Sequence, residues 1–167
     1  MTSEIIEYRP AVFQAESHIQ TDMDTAWRKL LDYEAWNPTF AGATVTRVEG
    51  EPQAEGESVR ITKTYHDPKS PPFPPFYADT VKLIPGRRVV WYCYPERGEE
   101  YHAQADAFRN FVDFSLSEDG VGVRFNINYF AQFRLTGAAL SQELGVFQNG
   151  LHELASAFRD FCERETA

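Results

Sequence analysis

The chain is short of positive charge: 16 Lys and Arg stand against 25 Asp and Glu, for a formal net charge of -9. A surface of that sign repels phosphate backbones and anionic membranes, so neither nucleic-acid binding nor membrane docking is expected. No stretch approaches ~18 consecutive apolar residues, which excludes an expected membrane-spanning helix. The opening MTSEIIEYRP has no basic segment leading into an apolar run, so a secretory signal is not expected either. Cysteine is scarce, with Cys93 and Cys162 alone. Their spacing leaves a disulfide open, but two buried thiols in a reducing compartment is the simpler reading. A cytoplasmic protein is expected.

The usual signatures of catalysis are also missing. His18, His66, His102 and His152 form no pair four residues apart on a helix, and no cysteine pair or carboxylate completes a metal-ligand spacing. The sequence has no G-x-S-x-G elbow, phosphate-binding loop or dinucleotide fingerprint. Neither a metal nor a cofactor is expected. There is no internal repeat and no low-complexity segment.

What the chain has is aromatic mass. Aromatic residues make up 14% of the 167, and Phe alone occurs 13 times. A small domain of this kind has a tightly filled interior or a ring-lined apolar cavity. One domain over 1–167, with a core from about residue 10 to 165, suits the length. Leu140, Leu144, Phe147, Leu151, Leu154, Phe158 and Phe161 recur at alternating steps of four and three. That spacing predicts a C-terminal helix of roughly twenty-five residues, ~37 Å long, with one apolar stripe. Gly145 and Gly150 interrupt it at ~1 kcal/mol each relative to alanine, which points to a bend or a close backbone approach.

Most of the rest reads as strand. Residues 12–20 open the series, and Met23, Ala26, Trp27, Leu30 and Leu31 then mark a short helix. Thr21 is its expected cap, with Asp24 in capping-box position, and Asn37-Pro38 stops it. Residues 43–49, 57–65, 77–84 and 87–94 alternate in period two. The stretch 66–75 holds five prolines and is a stiff loop. Glu118-Asp119-Gly120 signals a hairpin, and strict alternation from Val121 to Arg134 predicts the clearest strand in the chain. The expected class is α+β: a curved antiparallel sheet of about seven strands wrapped around a long C-terminal helix, with a short helix after the first strand.

Three stretches carry a family resemblance. They are Thr21-Asp22-Met23-Asp24-Thr25-Ala26-Trp27 leading to Leu31-Asp32-Tyr33-Glu34-Ala35-Trp36-Asn37-Pro38, then Pro85-Gly86-Arg87-Arg88-Val89-Val90-Trp91, then Phe114-Ser115-Leu116 before an acidic-Gly hairpin. With the element order, over roughly residues 10 to 165, they resemble the START/Bet v 1-like (SRPBCC) superfamily, and within it bacterial polyketide cyclase/dehydrase-like members. The resemblance implies the helix-grip fold and a cavity between sheet and C-terminal helix for a lipid, polyketide or similar apolar molecule. It supplies no universal catalytic residue, and fold analogy alone licenses no reaction.

Polar residues on inward faces are the candidates for chemistry. If Val81 and Leu83 point inward, period two brings Tyr77 and Asp79 with them. If Val59 and Ile61 do, so do Lys63 and Tyr65. Asn110 shares a face with Phe108, Val112 and Phe114. The expected ligand wall is Trp27, Tyr65, Tyr92, Phe108, Asn110, Phe125, Tyr129, Phe147 and Leu151. Leu154, Phe158 and Phe161 would seal the base. The candidate catalytic groups are Asp79, His102 and Asn110. Tyr129 or Tyr92 with Asn110 would polarise a carbonyl while Asp79 or His102 moves a proton.

The leading expectation is binding or transport of a hydrophobic small molecule by a monomer or homodimer. A cyclase, dehydratase or aromatase working in the same cavity is the enzymatic alternative. An Hsp90-activator-like interaction domain is the third; it requires a nearly filled interior and an interactive sheet surface.

Overall fold

The computed structural model describes residues 9–37, 43–62, 75–95, 110–133 and 137–164, with side-chain surroundings for 12–37, 43–62, 75–94, 110–130 and 148–164. Seven strands form one antiparallel sheet: β1 (Arg9–Ile19), β2 (Thr44–Glu49), β3 (Ser58–Thr62), β4 (Phe76–Ile84), β5 (Arg88–Pro95), β6 (Asn110–Asp119) and β7 (Gly122–Phe133). Their spatial order is β1-β7-β6-β5-β4-β3-β2. Thus β2 to β7 run as a meander, and β1 closes onto the far side of β7. Helices α1 (Met23–Leu30) and α2 (Tyr33–Trp36) follow β1, and α3 (Gly137–Arg164) ends the chain.

Sequence chemistry accounts for the joints. Asp22, rather than the expected Thr21, caps α1: one carboxylate oxygen accepts from the Thr25 amide at 2.8 Å and the other from the Thr25 hydroxyl at 2.8 Å. Asp32 repeats the device for α2, accepting from the Ala35 amide. The β6–β7 turn places Gly120 at φ +64°, a conformation that glycine reaches without strain.

Alternation divides the sheet into two faces. Phe13, Ala15, Val89, Trp91, Val112, Phe114, Phe125 and Ile127 are buried on the inner face. Helices α2 and α3 fill part of this concavity. Trp36 is fully buried, and its ring lies 5.2 Å from Phe158 and 6.1 Å from Phe114. Phe158 in turn lies 4.5 Å from Phe125, whose ring stacks on Phe114 at 5.9 Å. Phe158 thus sits in this aromatic core, and Leu154 and Phe161 are partly buried against it.

Polar contacts hold α3 in place. Ser17 donates to the Ala155 carbonyl at 3.0 Å. The buried Lys29 ammonium donates to the Cys162 carbonyl at 2.9 Å and sits over the Phe161 ring. A cation there satisfies a carbonyl in the helix's last turn and meets the negative end of its dipole. Gln148 donates to the Gln14 carbonyl, and the Gln20 amide donates to Glu163, so α3 also occupies hydrogen-bonding groups along β1, an edge strand. Gly150 has open space where a Cβ would stand, so no close approach explains it.

Candidate functional site

The sheet register places the inner-face residues in rows. One runs Trp91, Val112, Tyr129, Phe13 across β5, β6, β7 and β1. The next, one step toward the far end of the strands, runs Ala78, Cys93, Asn110 across β4, β5 and β6. Every residue in it is small or medium, beside a row with Trp, Tyr and Phe. This change from bulky to small is the main feature of the concave wall.

Two expected wall residues meet at that change. Asn110 and Tyr129 sit on adjacent strands, Asn110 pairing with the residue two beyond Tyr129, and both are buried. Burial, followed by the nearby Cys93 thiol, holds the Tyr129 phenol well above the usual tyrosine range. It is therefore a neutral O–H donor through physiological pH. Tyr129 also tilts against Phe13, 6.1 Å between ring centroids. Leu151 is buried on α3, and Trp27 is half-buried on α1 against the core. Phe125 is buried in the aromatic base, with two inner-face rows between it and the small-residue row. Tyr65, His102 and Phe108 lie outside the described residues, as does the Phe147 side chain.

Two expectations are corrected. Asp79 and Tyr92 lie on the outer face, so neither reaches the concave wall. Tyr92 points outward because Val89, Trp91 and Cys93 hold the inner side of β5; for Asp79 the cause is a β-bulge at Val81, where Thr80 pairs with Trp91 and Lys82 with Val90, leaving Val81 as the extra residue, 45% exposed. Leu83 packs inward as expected, but the phase flips across the bulge, which sends Tyr77 and Asp79 outward. There Asp79 accepts from the Tyr94 hydroxyl at 3.0 Å, and Tyr94 stacks between Tyr77 and Tyr92 at 5.5 Å from each.

A second polar group on the inner side escaped the sequence reading. Glu57 is only 5% exposed, and its Oε1 has no hydrogen-bond partner among the described residues. Burial pushes its carboxyl above the ordinary range, against the Gln53 amide and Arg47, which pull it down. It lines a pocket of about 190 Å³ with Leu31, Tyr33, Arg47, Gln53 and Val59. The Tyr33 hydroxyl lies 3.5 Å from that of Thr80, its ring edge-on to Trp91 at 4.7 Å. The available signal was phase, since Glu57 is two residues before the inward Val59.

Comparison with solved structures identifies the architecture. The ZhuI aromatase/cyclase from Streptomyces sp. R1128 superposes with a TM-score of 0.74 at 12% identity, covering 95% of this chain and 97% of that one. The di-domain ARO/CYC StfQ of the steffimycin biosynthetic pathway gives 0.71 at 12% identity; 94% of this chain is covered, spanning about half (52%) of StfQ. Ara h 8.0201 gives 0.65 at 12% identity, covering 92% and 98%. This chain has the helix-grip fold. No protein-family model matches the sequence, and no curated protein matches it either. Identities this low speak for the fold alone. Within that fold, the small-residue row lies on the sheet face that α3 covers. Among the described residues, no helix is long and apolar enough to cross a membrane.

Proposed function

We propose that the protein binds a hydrophobic small molecule, a lipid, polyketide or similar, between the sheet and α3. The observation that carries this reading is the inner-face row Ala78, Cys93, Asn110 beside the bulky row of Trp91, Val112, Tyr129 and Phe13. Small side chains on a concave wall leave volume that an apolar ligand fills. The Tyr129 hydroxyl and the Asn110 amide then orient one polar end of it. Leu151 would form the opposite wall.

Two neighbours named aromatase/cyclase favour a second reading, an enzyme on a polyketide-like substrate. Tyr129 with Asn110 could hydrogen-bond a carbonyl oxygen as charge develops on it. That reading also needs a group that moves a proton. Asp79 lies on the other face, and no carboxylate joins Asn110 and Tyr129 in their rows among the described residues. Binding or transport is the better-supported function.

Native mass spectrometry of protein freshly purified from cells tests this by looking for a co-purified small molecule. Binding of a long-chain fluorescent fatty acid gives a second readout, with Leu151→Trp as the wall variant. The expected result is a bound apolar molecule and weakened binding in the folded variant. A folded protein that carries nothing and binds no apolar probe overturns the reading.

A further inference from the structure

The outer face of the sheet carries an apolar row that the cavity reading does not use. Val12, Phe130, Phe111 and Tyr92 lie side by side across β1, β7, β6 and β5, in direct register. Val12 is 67% exposed, Phe111 46% and Phe130 43%. Four adjacent strands presenting such side chains at one level is a patch rather than scattered exposure. Tyr94 and Tyr77 extend it along the stacked ring series.

We infer that this face binds a second copy of the same chain, the two sheets packing outer face to outer face. Charge is the first reason. The chain as a whole carries -9. On the outer face, however, Glu16, Glu49, Asp79, Asp113 and Asp119 stand against Arg60, Lys82, Arg88 and Arg124, a net of only -1 among the described residues. Two copies can approach through this nearly neutral face with far less repulsion than their net charge would otherwise impose.

The pattern is also self-complementary. Place a two-fold axis parallel to the strands, above the seam between β6 and β7. It carries β7 onto β6 of the second copy and β1 onto β5. Phe130 then lies over Phe111 of the second copy, and Val12 over Tyr92. Two rows away, Glu16, Asn126, Ser115 and Arg88 stand in register. The same operation lays Glu16 over Arg88 of the second copy, and does so twice. The intervening row sets Asn128 over Asp113, a carboxylate that Arg88 already holds at 2.6 Å. A single operation thus pairs aromatic with aromatic and acid with base, as an isologous interface requires. It keeps the strands of the two sheets near parallel, the usual arrangement of stacked sheets.

Three rows on four strands, at ~4.8 Å between strands and ~6.8 Å between rows, give a footprint of about 400 Å² on each copy. This lies at the low end for specific association, so the dimer is weak and concentration-dependent.

Sedimentation velocity of the full chain over a concentration series tests the inference. A monomer–dimer equilibrium is expected, weakened about tenfold or more by Phe111→Glu or Phe130→Glu. Glu16→Lys, which sets like charges opposite each other, should weaken it too, and added salt should reduce that loss. Geometry is read by cross-linking: chains bearing Phe111→Cys mixed with chains bearing Phe130→Cys should form a disulfide-linked pair far more readily than either alone. Circular dichroism checks that each variant is folded, and Phe111→Ser replaces any that is not. A monomer throughout the series, a dimer indifferent to the two glutamate variants, or equal self-linking of either cysteine variant overturns the inference. Capture of a different protein by this face with no self-association would overturn it as well.

Discussion

Replacing Phe158 with alanine tests the division of the interior into a filled base and a ligand-sized upper part. Phe158 is fully buried, with Trp36 at 5.2 Å and Phe125 at 4.5 Å between ring centroids. Removing the ring costs its transfer free energy and leaves a void that its neighbours, on two helices and the sheet, cannot close. Phe→Ala at such a site costs about 3–5 kcal/mol, and at ~2–4 °C per kcal/mol for a domain of this size the melting temperature should fall by roughly 6–20 °C. Chemical denaturation monitored by circular dichroism gives the stability directly, from the shift in midpoint at constant slope. Affinity for a long-chain fluorescent fatty acid, measured where the variant is still folded, should stay within about twofold because Phe158 stands below the small-residue row. A loss under ~1.5 kcal/mol would show that the base is loosely packed, and a large loss of affinity would place the ligand there. Either result refutes the division.

Gly150→Ala should stabilise the protein by about 1 kcal/mol, since the helix gains a better former and the new Cβ meets nothing within 4 Å; thermal unfolding measures it. Gly122→Ala should do the opposite by about 1–3 kcal/mol, because its Cβ would stand 2.4 Å from the Ile19 carbonyl oxygen and separate β1 from β7. Glu57→Gln probes the raised carboxyl. With the folded group titrating above its ordinary value of 4.5, the native state holds the extra proton, so stability is full below that pH and lost as pH rises through the folded value. The Gln variant should lack that loss and equal or exceed the parent at pH 7; parallel melting curves from pH 4 to 7 check it, and equal pH slopes would contradict it.

The element order was legible because apolar spacing reports directly on period. Leu151 and Phe158 fall on the helix face that the sequence marks, and Val123, Phe125, Ile127 and Tyr129 are buried as their alternation requires. Asn110 and Tyr129 were legible for the same reason, since β6 and β7 pair without a break over the described residues. Asp79 was not. The bulge at Val81 inserts one residue, and a phase carried back from Leu83 emerges on the wrong face. No composition signal marks that bulge: neither Thr80, Val81 nor Lys82 is a glycine or proline. Tyr92 needed no such break to be placed on the outer face. Trp91 and Tyr92 cannot both face inward, and the buried Val89 and Cys93 already assign the inside to Trp91.

The two faces of the sheet follow from one constraint. A strand that alternates strictly must put its remaining aromatic residues somewhere. With Trp91, Phe114 and Phe125 turned inward, Tyr92, Phe111 and Phe130 are turned outward by the same period. An outward row of that kind exposes apolar area in water at roughly 25 cal/mol per Å² relative to a covered state. Arg88 at 2.6 Å from Asp113 and Tyr94 at 3.0 Å from Asp79 satisfy the carboxylates beside the row. What these contacts leave uncovered is an uncharged aromatic row, whereas a face adapted only to solvent would place its charges there. The inner wall shows the converse. Where Ala78 and Cys93 stand in place of rings, the concave face gives up packing that Phe158 and Trp36 supply lower down, and Asn110 and Tyr129 bring polar groups beside them. A wall built only for stability would have continued the aromatic filling, since small residues forgo ~1.5–3 kcal/mol for each large side chain that could be buried. Under the proposed function, that row is where an apolar ligand would supply the packing that larger side chains would otherwise give.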